Sequence, residues 1–238
     1  GGEQNDEKFI LCGGGSLPDA HHDSLRIAGG TITVTAPSDT IHVNDSLHIT
    51  GASLTLSAGD DALRCDTSIA ILGGGITVNS CSEGIESPEI LIEDGDITVT
   101  STDDGINACG TEIANGSLPG VTINGGTVIA EAANDAITTG DGGTITINGG
   151  DVTAIGGVNN FGENSHRVLS GNGIGPYESG SVIINGGTVK ATAKGEGFGI
   201  GGARIYNTGA MTVTINEGTI EATANRNNAA IGDKGKGE

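Results

Sequence analysis

The sequence predicts an all-β fold: a parallel β-helix (β-solenoid) with three short strands in each coil of about 22 residues, and about eight to nine coils. Three observations favour it. A 22-residue pattern recurs from residue 23 onward, apolar and polar residues alternate inside each copy, and 44 of the 238 residues are glycine while aromatic residues are scarce. A solenoid needs no aromatic core, because neighbouring coils bury one another's small apolar side chains.

The first four copies are contiguous. They are DSLRIAGGTITVTAPSDTIHVN (23–44), DSLHITGASLTLSAGDDALRCD (45–66), TSIAILGGGITVNSCSEGIESP (67–88) and EILIEDGDITVTSTDDGINACG (89–110). We therefore predict a leader and cap at 1–22, one β-helix domain at 23–232 and a tail at 233–238. Insertions at 109–120 and 156–181 are expected to project as loops from one corner.

Each copy divides into three strands. The first reads LRI or VTI and ends at a glycine-rich corner, where glycine permits a positive φ. The second reads TITVT, so that Ile32 and Val34 point inward and the threonines outward. The third reads DTIHV, DALRC or DGINA. Stacking predicts two inward columns, Leu25/Leu47/Ile69/Ile90/Val121 and Ile41/Leu63/Ile85/Ile106/Ile137.

The cysteines match no zinc-ligand spacing and include no CxxC pair. We interpret them as buried or unreactive thiols, and Cys65 in particular falls in an inward column. A disulfide is an alternative, and the sequence does not indicate its pairing. The four are Cys12, Cys65, Cys81 and Cys109.

The net charge of −20 and the pI of about 4.3 argue against nucleic acid and anionic membranes as partners, because both need a positive surface. They favour cations, or ligands bridged by cations. No apolar run approaches the ~20 residues of a transmembrane helix. The acidic opening GGEQNDEKF suits the tether of a secreted or outer-surface protein, and a lipid anchor on a processed N-terminus is a further expectation.

A column of acidic residues stands at the start of the third strand in five consecutive copies. In a parallel β-helix these carboxylates would lie about 5 Å apart and repel by ~3 kcal/mol at an effective dielectric near 20. Only Arg64 is close in register, so we expect the column to need protonation, salt bridges or a metal ion. The column reads Asp39, Asp61, Glu83, Asp104 and Asp135.

Oxygen ligands without a histidine or cysteine cluster favour Ca²⁺ over a transition metal. We expect calcium to cross-link adjacent coils in the N-terminal half; the alternative is a solvated acidic face at a turn. The favoured sites lie between Asp39/Asp61, Asp60/Asp61/Glu83 and Glu83/Asp103/Asp104. The complete predicted ligand set is Asp39, Asp60, Asp61, Glu83, Glu86, Asp103, Asp104, Asn107 and Asp135.

The stretch SEGIESPEILIEDGDITVTSTDDGINACG resembles a family of secreted bacterial polysaccharide-binding proteins, the carbohydrate-binding domain-containing proteins. The segments that carry the resemblance are DAL at 61–63, SEGIE at 82–86 and DDGINA at 103–108. Where the family has Gly-Ile and a tyrosine, this sequence has Ala62-Leu63 and Ser82. The resemblance implies a right-handed parallel β-helix, calcium on the acidic corners and binding of cellulose or a pectin-like acidic polysaccharide.

Three functions follow. A polysaccharide-binding module is the first: a neutral glycan would find few aromatic rings to stack on, whereas an acidic one could bind through calcium and scattered cations. The second is a calcium-dependent lyase, with Arg64 as base and Arg26 or His48 nearby, but the chain shows no concentrated basic groove, so we expect no enzyme. The third is an adhesive surface protein. The sequence gives no oligomeric state.

Several other residues have a simpler interpretation. We expect Tyr177 and Tyr206 to anchor loops or the core, and His21, His22 and His42 to lie at solvated turns. The outward threonines invite comparison with ice-binding arrays, but threonine is favoured on exposed strands in general and the rows look irregular in sequence.

Overall fold

The computed structural model describes residues 24–110, 116–160, 168–202, 210–225 and 229–232. The predicted leader and tail lie outside these residues. The described residues form strands and turns, and none of them belongs to a helix long and apolar enough to cross a bilayer.

The first fifteen strands form five successive triplets, because the three apolar patterns of each repeat become three strands separated by corners. The triplets are β1 Ser24–Ile27, β2 Thr31–Ala36, β3 Ile41–Val43; β4 Ser46–Ile49, β5 Ser53–Ala58, β6 Leu63–Cys65; β7 Ser68–Ile71, β8 Gly75–Ser80, β9 Ile85–Glu86; β10 Glu89–Ile92, β11 Asp96–Ser101, β12 Ile106–Ala108; and β13 Gly120–Ile123, β14 Thr127–Ala132, β15 Ile137–Thr139.

The later part of the chain keeps the first two strands of each triplet and shortens the third. Its strands are β16 Thr144–Ile147, β17 Asp151–Gly156, β18 Val158–Asn160, β19 Val168–Ser170, β20 Gly180–Ile184, β21 Thr188–Ala193, β22 Ile200–Gly201, β23 Met211–Ile215, β24 Thr219–Ala224 and β25 Ile231–Gly232. The antiparallel pair β18–β19 falls inside the insertion predicted at 156–181.

The strands stack into three parallel sheets, which confirms the predicted parallel β-helix. The first sheet has the order β1-β4-β7-β10-β13-β16-β20-β23 and the second has β2-β5-β8-β11-β14-β17-β21-β24. The third sheet runs β3-β6-β9-β12-β15. Bridges from Ile137 to Ile174 and from Ile174 to Ile200 connect it to the pair β22–β25. Each of these three sheets therefore extends along the long axis of the solenoid.

The register confirms both predicted inward columns. Leu25 pairs with Leu47 and Ile41 pairs with Leu63, and both columns continue residue for residue along the sheets. The inward residues of the coils between the first and the last are almost completely buried, as Leu47, Leu63 and Ile85 show at 0% exposure. The core is therefore a continuous apolar rod, and the outward residues of each sheet carry the chemistry.

Close backbone approach at the corners explains part of the glycine content. Gly126 has φ +81°, and a Cβ there would lie 2.4 Å from the carbonyl oxygen of Gly95 in the preceding coil. Any side chain at this position would therefore strain the backbone and collide with the neighbouring corner. At the corner before the third strand, Ala62 occupies the position that is Gly84 and Gly105 in the next two coils, and it is fully buried.

The described cysteines are free thiols. Cys65 and Cys81 are buried and Cys109 is half-buried. Burial raises the pKa of Cys65, and it raises the pKa of Cys81 to about 12. The interpretation of Cys65 as a buried thiol is confirmed, while Cys12 lies outside the described residues.

Candidate functional site

The acidic column lies at the corner that leads into the third sheet, two residues before each strand begins. The next residue, such as Thr40 or Ala62, is buried, so the chain turns inward directly after the acid. Three of the carboxylates are themselves buried, with exposures of 3% at Asp61, 8% at Asp104 and 2% at Asp135. A solvated acidic face therefore does not describe these three positions.

Backbone amides compensate much of this charge. The Oδ1 atom of Asp39 accepts a hydrogen bond of 3.1 Å from the backbone N–H of Asp61, one coil further on. Asp104 accepts one of 2.9 Å from the backbone of Asp135, and the Asn134 side chain donates a second of 2.8 Å. Hydrogen bonds to the ionised form stabilise a carboxylate without any metal.

The same contact continues beyond the acids into residues that sequence reasoning did not select. Asp135 Oδ1 accepts a hydrogen bond from the backbone N–H of Asn172 at 2.5 Å, and Asn172 Oδ1 accepts one from Phe198 at 2.9 Å. We call Asp39, Asp104, Asp135 and Asn172 the Asx ladder. Its signal in the sequence is a short side chain with a carbonyl or carboxyl oxygen directly before a buried corner.

The Asx ladder is interrupted at Asp61 and Glu83, and an acidic cluster takes its place. Oxygen atoms of Asp61, Glu83 and Glu86 all lie within 4.8 Å of one another. Among the described residues, these three form the group of side chains that is close enough together to hold a metal ion. Glu86 belongs to β9, whose register with β6 places it beside Arg64. The structure thus brings together three of the predicted metal ligands.

Arg64 holds two of the three carboxylates. Its Nη1 atom lies 2.9 Å from Asp61 Oδ2 and 2.9 Å from Glu86 Oε1. The hydrogen bond to Asp61 raises the pKa of Arg64, while burial raises the pKa of Asp61 to about 6 against the opposing effect of Arg64. The arginine named as a lyase base is therefore a protonated ion-pair partner in this arrangement.

Glu83 and Glu86 share a hydrogen bond. Burial, that hydrogen bond and the neighbouring charge of Glu86 raise the pKa of Glu83 to about 9. Burial acts to raise the pKa of Glu86 as well, but the hydrogen bond from Glu83, with Cys109 and Arg64, lowers it overall. At neutral pH, Glu83 is therefore the protonated partner and donates to an ionised Glu86.

Two further side chains complete the cluster. Asn107 Nδ2 donates to Glu83 Oε2 at 3.1 Å, and the Cys109 thiol donates to Glu86 Oε1 at 3.1 Å. Burial, together with the hydrogen bond to Glu86, raises the pKa of Cys109 to about 12, so it is a neutral thiol. A soft thiolate ligand is absent from this cluster, which keeps its donor atoms oxygen.

The remaining predicted ligands lie outside the cluster of three. Asp39 contacts His42 at 3.4 Å and belongs to the Asx ladder, as do Asp104 and Asp135. Asp60 is exposed and Asp103 is half-buried at the neighbouring outward position. Whether any of them binds a metal stays a prediction.

The histidines and tyrosines discussed in the sequence analysis lie outside the acidic cluster where the structure describes them. His42 is 38% exposed and also contacts Asp66 at 3.3 Å. Tyr177 is 40% exposed, and its backbone N–H donates to Thr139. His21, His22 and Tyr206 lie outside the described residues.

The donor chemistry of the cluster fits calcium. Ca²⁺ binds oxygen atoms at 2.3–2.6 Å, so two ligands on opposite sides of one ion lie at most about 5 Å apart. Separations within 4.8 Å among Asp61, Glu83 and Glu86 meet that condition. Two cations already compete for these oxygens, namely the Arg64 guanidinium and the proton on Glu83.

Comparison with protein families gave a match to a family described as carbohydrate-binding domain-containing protein, over residues 20–157 and again over 66–229. The two ranges overlap, and together they cover most of the chain. Comparisons with curated proteins and with solved structures gave no match.

Proposed function

We propose that this chain, which belongs to the family of carbohydrate-binding domain-containing proteins, binds a polysaccharide outside the cell and is stabilised there by calcium. The family match is the observation that carries polysaccharide binding. The solenoid supports it physically, because three long parallel faces offer repeated contacts to a repeating polymer. We propose a binding module and no catalytic step.

Calcium stabilisation is supported by the acidic cluster. Asp61, Glu83 and Glu86 come from two successive coils, so one ion bound to all three would cross-link those coils. Without calcium, the Arg64 guanidinium pairs with Asp61 and Glu86, and a proton neutralises Glu83. Both arrangements cost free energy because these groups are removed from water. Calcium binding would release that proton, so we expect the affinity for calcium to rise with pH.

Polysaccharide binding is tested by retention of the purified chain on insoluble glycans and by a glycan array, each with and without EGTA. We expect retention on at least one polysaccharide in both conditions as long as the chain is folded, and a lower melting temperature with EGTA. Failure to bind any glycan in either condition would contradict the proposal. Incubation with polygalacturonate and calcium, followed by ultraviolet absorbance, detects unsaturated products, and their appearance would replace the binding module with a lyase.

The calcium part has its own test in the variant Arg64→Gln. Loss of the guanidinium leaves two partly buried carboxylates without a counter-charge, so we expect a loss of about 1–3 kcal/mol of stability in EGTA. Millimolar calcium is expected to restore most of that loss, as measured by urea denaturation. An equal loss with and without calcium would show that no ion occupies the cluster. Glu83→Gln in the same assay is the matched control, because it removes one ligand but keeps Arg64.

A further inference from the structure

The second sheet presents a lattice of hydroxyl groups on β2 and β5 at the N-terminal end of the solenoid, and a single threonine column continues it onto β8 and β11. Thr33 pairs with Thr55, Thr55 with Thr77, and Thr77 with Thr98. These four outward residues thus form an unbroken column, although the rows look irregular in sequence. Adjacent strands are separated by about 4.8 Å and alternate residues along a strand by roughly 6.6 Å. Hydroxyls flank the column at both sides, as at Thr31/Ser53 and Thr35/Ser57.

This lattice is uncharged although the whole chain carries a net charge of −20. The strands β2, β5 and β8 contain no charged residue, whereas every later strand of the same sheet has at least one, beginning with Asp96. We call the outward surface of β2, β5 and β8, together with Thr98, the hydroxyl face. An uncharged polymer can approach it without desolvating a carboxylate or a cation.

The hydroxyl groups are available to a ligand. Thr33, Thr77 and Thr98 are exposed and Thr55 is half-buried. No hydrogen bond to another described residue occupies their side chains. Each hydroxyl can donate one hydrogen bond and accept two, and each threonine adds a methyl group that packs against the C–H surface of a sugar ring. These contacts substitute for the aromatic platforms that the sequence lacks.

The cations of the described surface argue against an acidic polymer as the direct occupant. Lys190 pairs with Glu221 at 3.8 Å and Lys194 with Glu131 at 2.6 Å, while Arg64 holds Asp61 and Glu86. Arg26 is the cation outside such pairs among the described residues, and it lies on the first sheet rather than on the hydroxyl face. An acidic polysaccharide on the hydroxyl face would therefore bring charge without compensation.

We propose that the hydroxyl face is the polysaccharide-binding surface of this chain and that its ligand is a linear, uncharged polysaccharide. This inference rests on the proposed function and assigns the site and the class of its ligand. Because the acidic cluster lies on the third sheet, polysaccharide binding at this face is independent of calcium as long as the chain is folded.

The test compares two double variants of the full chain on cellulose, xylan and mannan as neutral probes and on polygalacturonate as the acidic probe. Thr33→Glu with Thr77→Glu places charges on the hydroxyl face, and Thr212→Glu with Thr214→Glu is the control at exposed outward positions of the first sheet. We expect the face variant to bind its neutral glycan at least about tenfold more weakly and the control to bind within about twofold of the parent. Thr33→Ser with Thr77→Ser, which keeps the hydroxyls, is expected to retain most of the binding. Melting curves establish that each variant is folded.

Three outcomes overturn the inference. If a neutral glycan binds equally to the parent and to the face variant, the site lies elsewhere while the proposed function stands. If the parent retains only polygalacturonate, the ligand class is wrong while the proposed function again stands. If the parent binds no glycan, both proposals fail, and inhibition of ice recrystallisation that the face variant loses would assign the hydroxyl face to ice.

Discussion

At the scale of single residues, one corner position performs two different tasks. Four short side chains there, those of the Asx ladder, reach the backbone N–H of the next coil, as Asp135 does at 2.5 Å. At the same position Asp61 instead pairs with Arg64, and Glu83 meets Glu86 and Asn107. The charge of the column is thus divided between backbone hydrogen bonds and one cluster that needs a proton or a cation.

The first prediction concerns the pH dependence of stability. The pKa of Glu83 is raised from its ordinary value of 4.5 to about 9 in the folded chain, so between these values the folded state binds a proton that the unfolded state has lost. Stability from this group is complete below pH 4.5 and is lost as pH rises towards 9. We expect the melting temperature in EGTA to fall from pH 5 to pH 9.

Glu83→Gln keeps the hydrogen bonds of a neutral side chain and removes the titration. Its melting temperature is expected to vary less with pH over the same range, and to exceed that of the parent at pH 9. Calcium is expected to reduce the pH dependence of the melting temperature in the parent but not in Glu83→Gln. Identical pH profiles for the parent and Glu83→Gln would show that another group governs the change.

The second prediction concerns the Asx ladder. Asn172 shows that an amide oxygen accepts the backbone hydrogen bond as well as a carboxylate does. We therefore expect Asp135→Asn to change the free energy of unfolding by less than about 1 kcal/mol, and Asp135→Ala to lower it by about 1–3 kcal/mol because a buried backbone N–H loses its partner. Urea denaturation of the two variants measures both effects. A loss for Asp135→Asn as large as that for Asp135→Ala would mean that the charge itself is required, as a metal ligand would be.

At the scale of strands and corners, sequence periodicity was sufficient to predict the strands and their pairing in the sheets. The alternation in TITVT and the 22-residue spacing predicted which residues pair, and the register of Ile41 with Leu63 agrees. The solenoid makes this possible because each strand pairs with its equivalent in the next copy, so no long-range pairing has to be guessed.

The corners and the site were only partly predictable. Periodicity brought Asp61 and Glu83 to one corner, and the expected need for a cation came from their charge. Periodicity did not show that backbone N–H groups donate hydrogen bonds to Asp39, Asp104 and Asp135. Such a bond depends on how closely the corner of one coil approaches the backbone of the next, which the repeat pattern does not give. The outward threonines look irregular as a set because the row beside them reads Thr31, Ser53 and Gly75, although the column from Thr33 to Thr98 follows the repeat at spacings of 22, 22 and 21 residues.

The third prediction tests a corner. Gly126→Ala would place a Cβ 2.4 Å from the carbonyl oxygen of Gly95 at a positive φ, so we expect a loss of at least about 2 kcal/mol in the free energy of unfolding. Gly29→Ala is the matched control, because a Cβ at Gly29 meets nothing within 4 Å. Its stability should differ from the parent by less than about 1 kcal/mol. Equal effects of the two variants, measured by urea denaturation, would show that the close approach of the corners has no energetic weight.

At the scale of the whole molecule, burial varies along the solenoid axis. The inward residues of the middle strands are fully buried, whereas Ile220 in the last strand of the second sheet is half-buried and Ile215 is 42% exposed. A coil with a neighbour on each side buries apolar surface against both of them, whereas an end coil buries it against one. In a solenoid these contacts between neighbouring coils provide most of the stability. The middle coils should therefore open last.

The final prediction follows from that gradient and uses one inward column. Ile97 and Ile220 occupy equivalent positions in the second sheet, but Ile97 is 1% exposed. We expect Ile97→Ala to cost about 2–5 kcal/mol, the usual result for a buried isoleucine, and Ile220→Ala to cost about half as much or less. Urea denaturation gives both values, and amide hydrogen exchange is expected to be slower in β11 than in β24. Equal costs and equal exchange rates would contradict the burial gradient. They would mean that the apolar residues of the last coil are as completely buried as those of the middle coils.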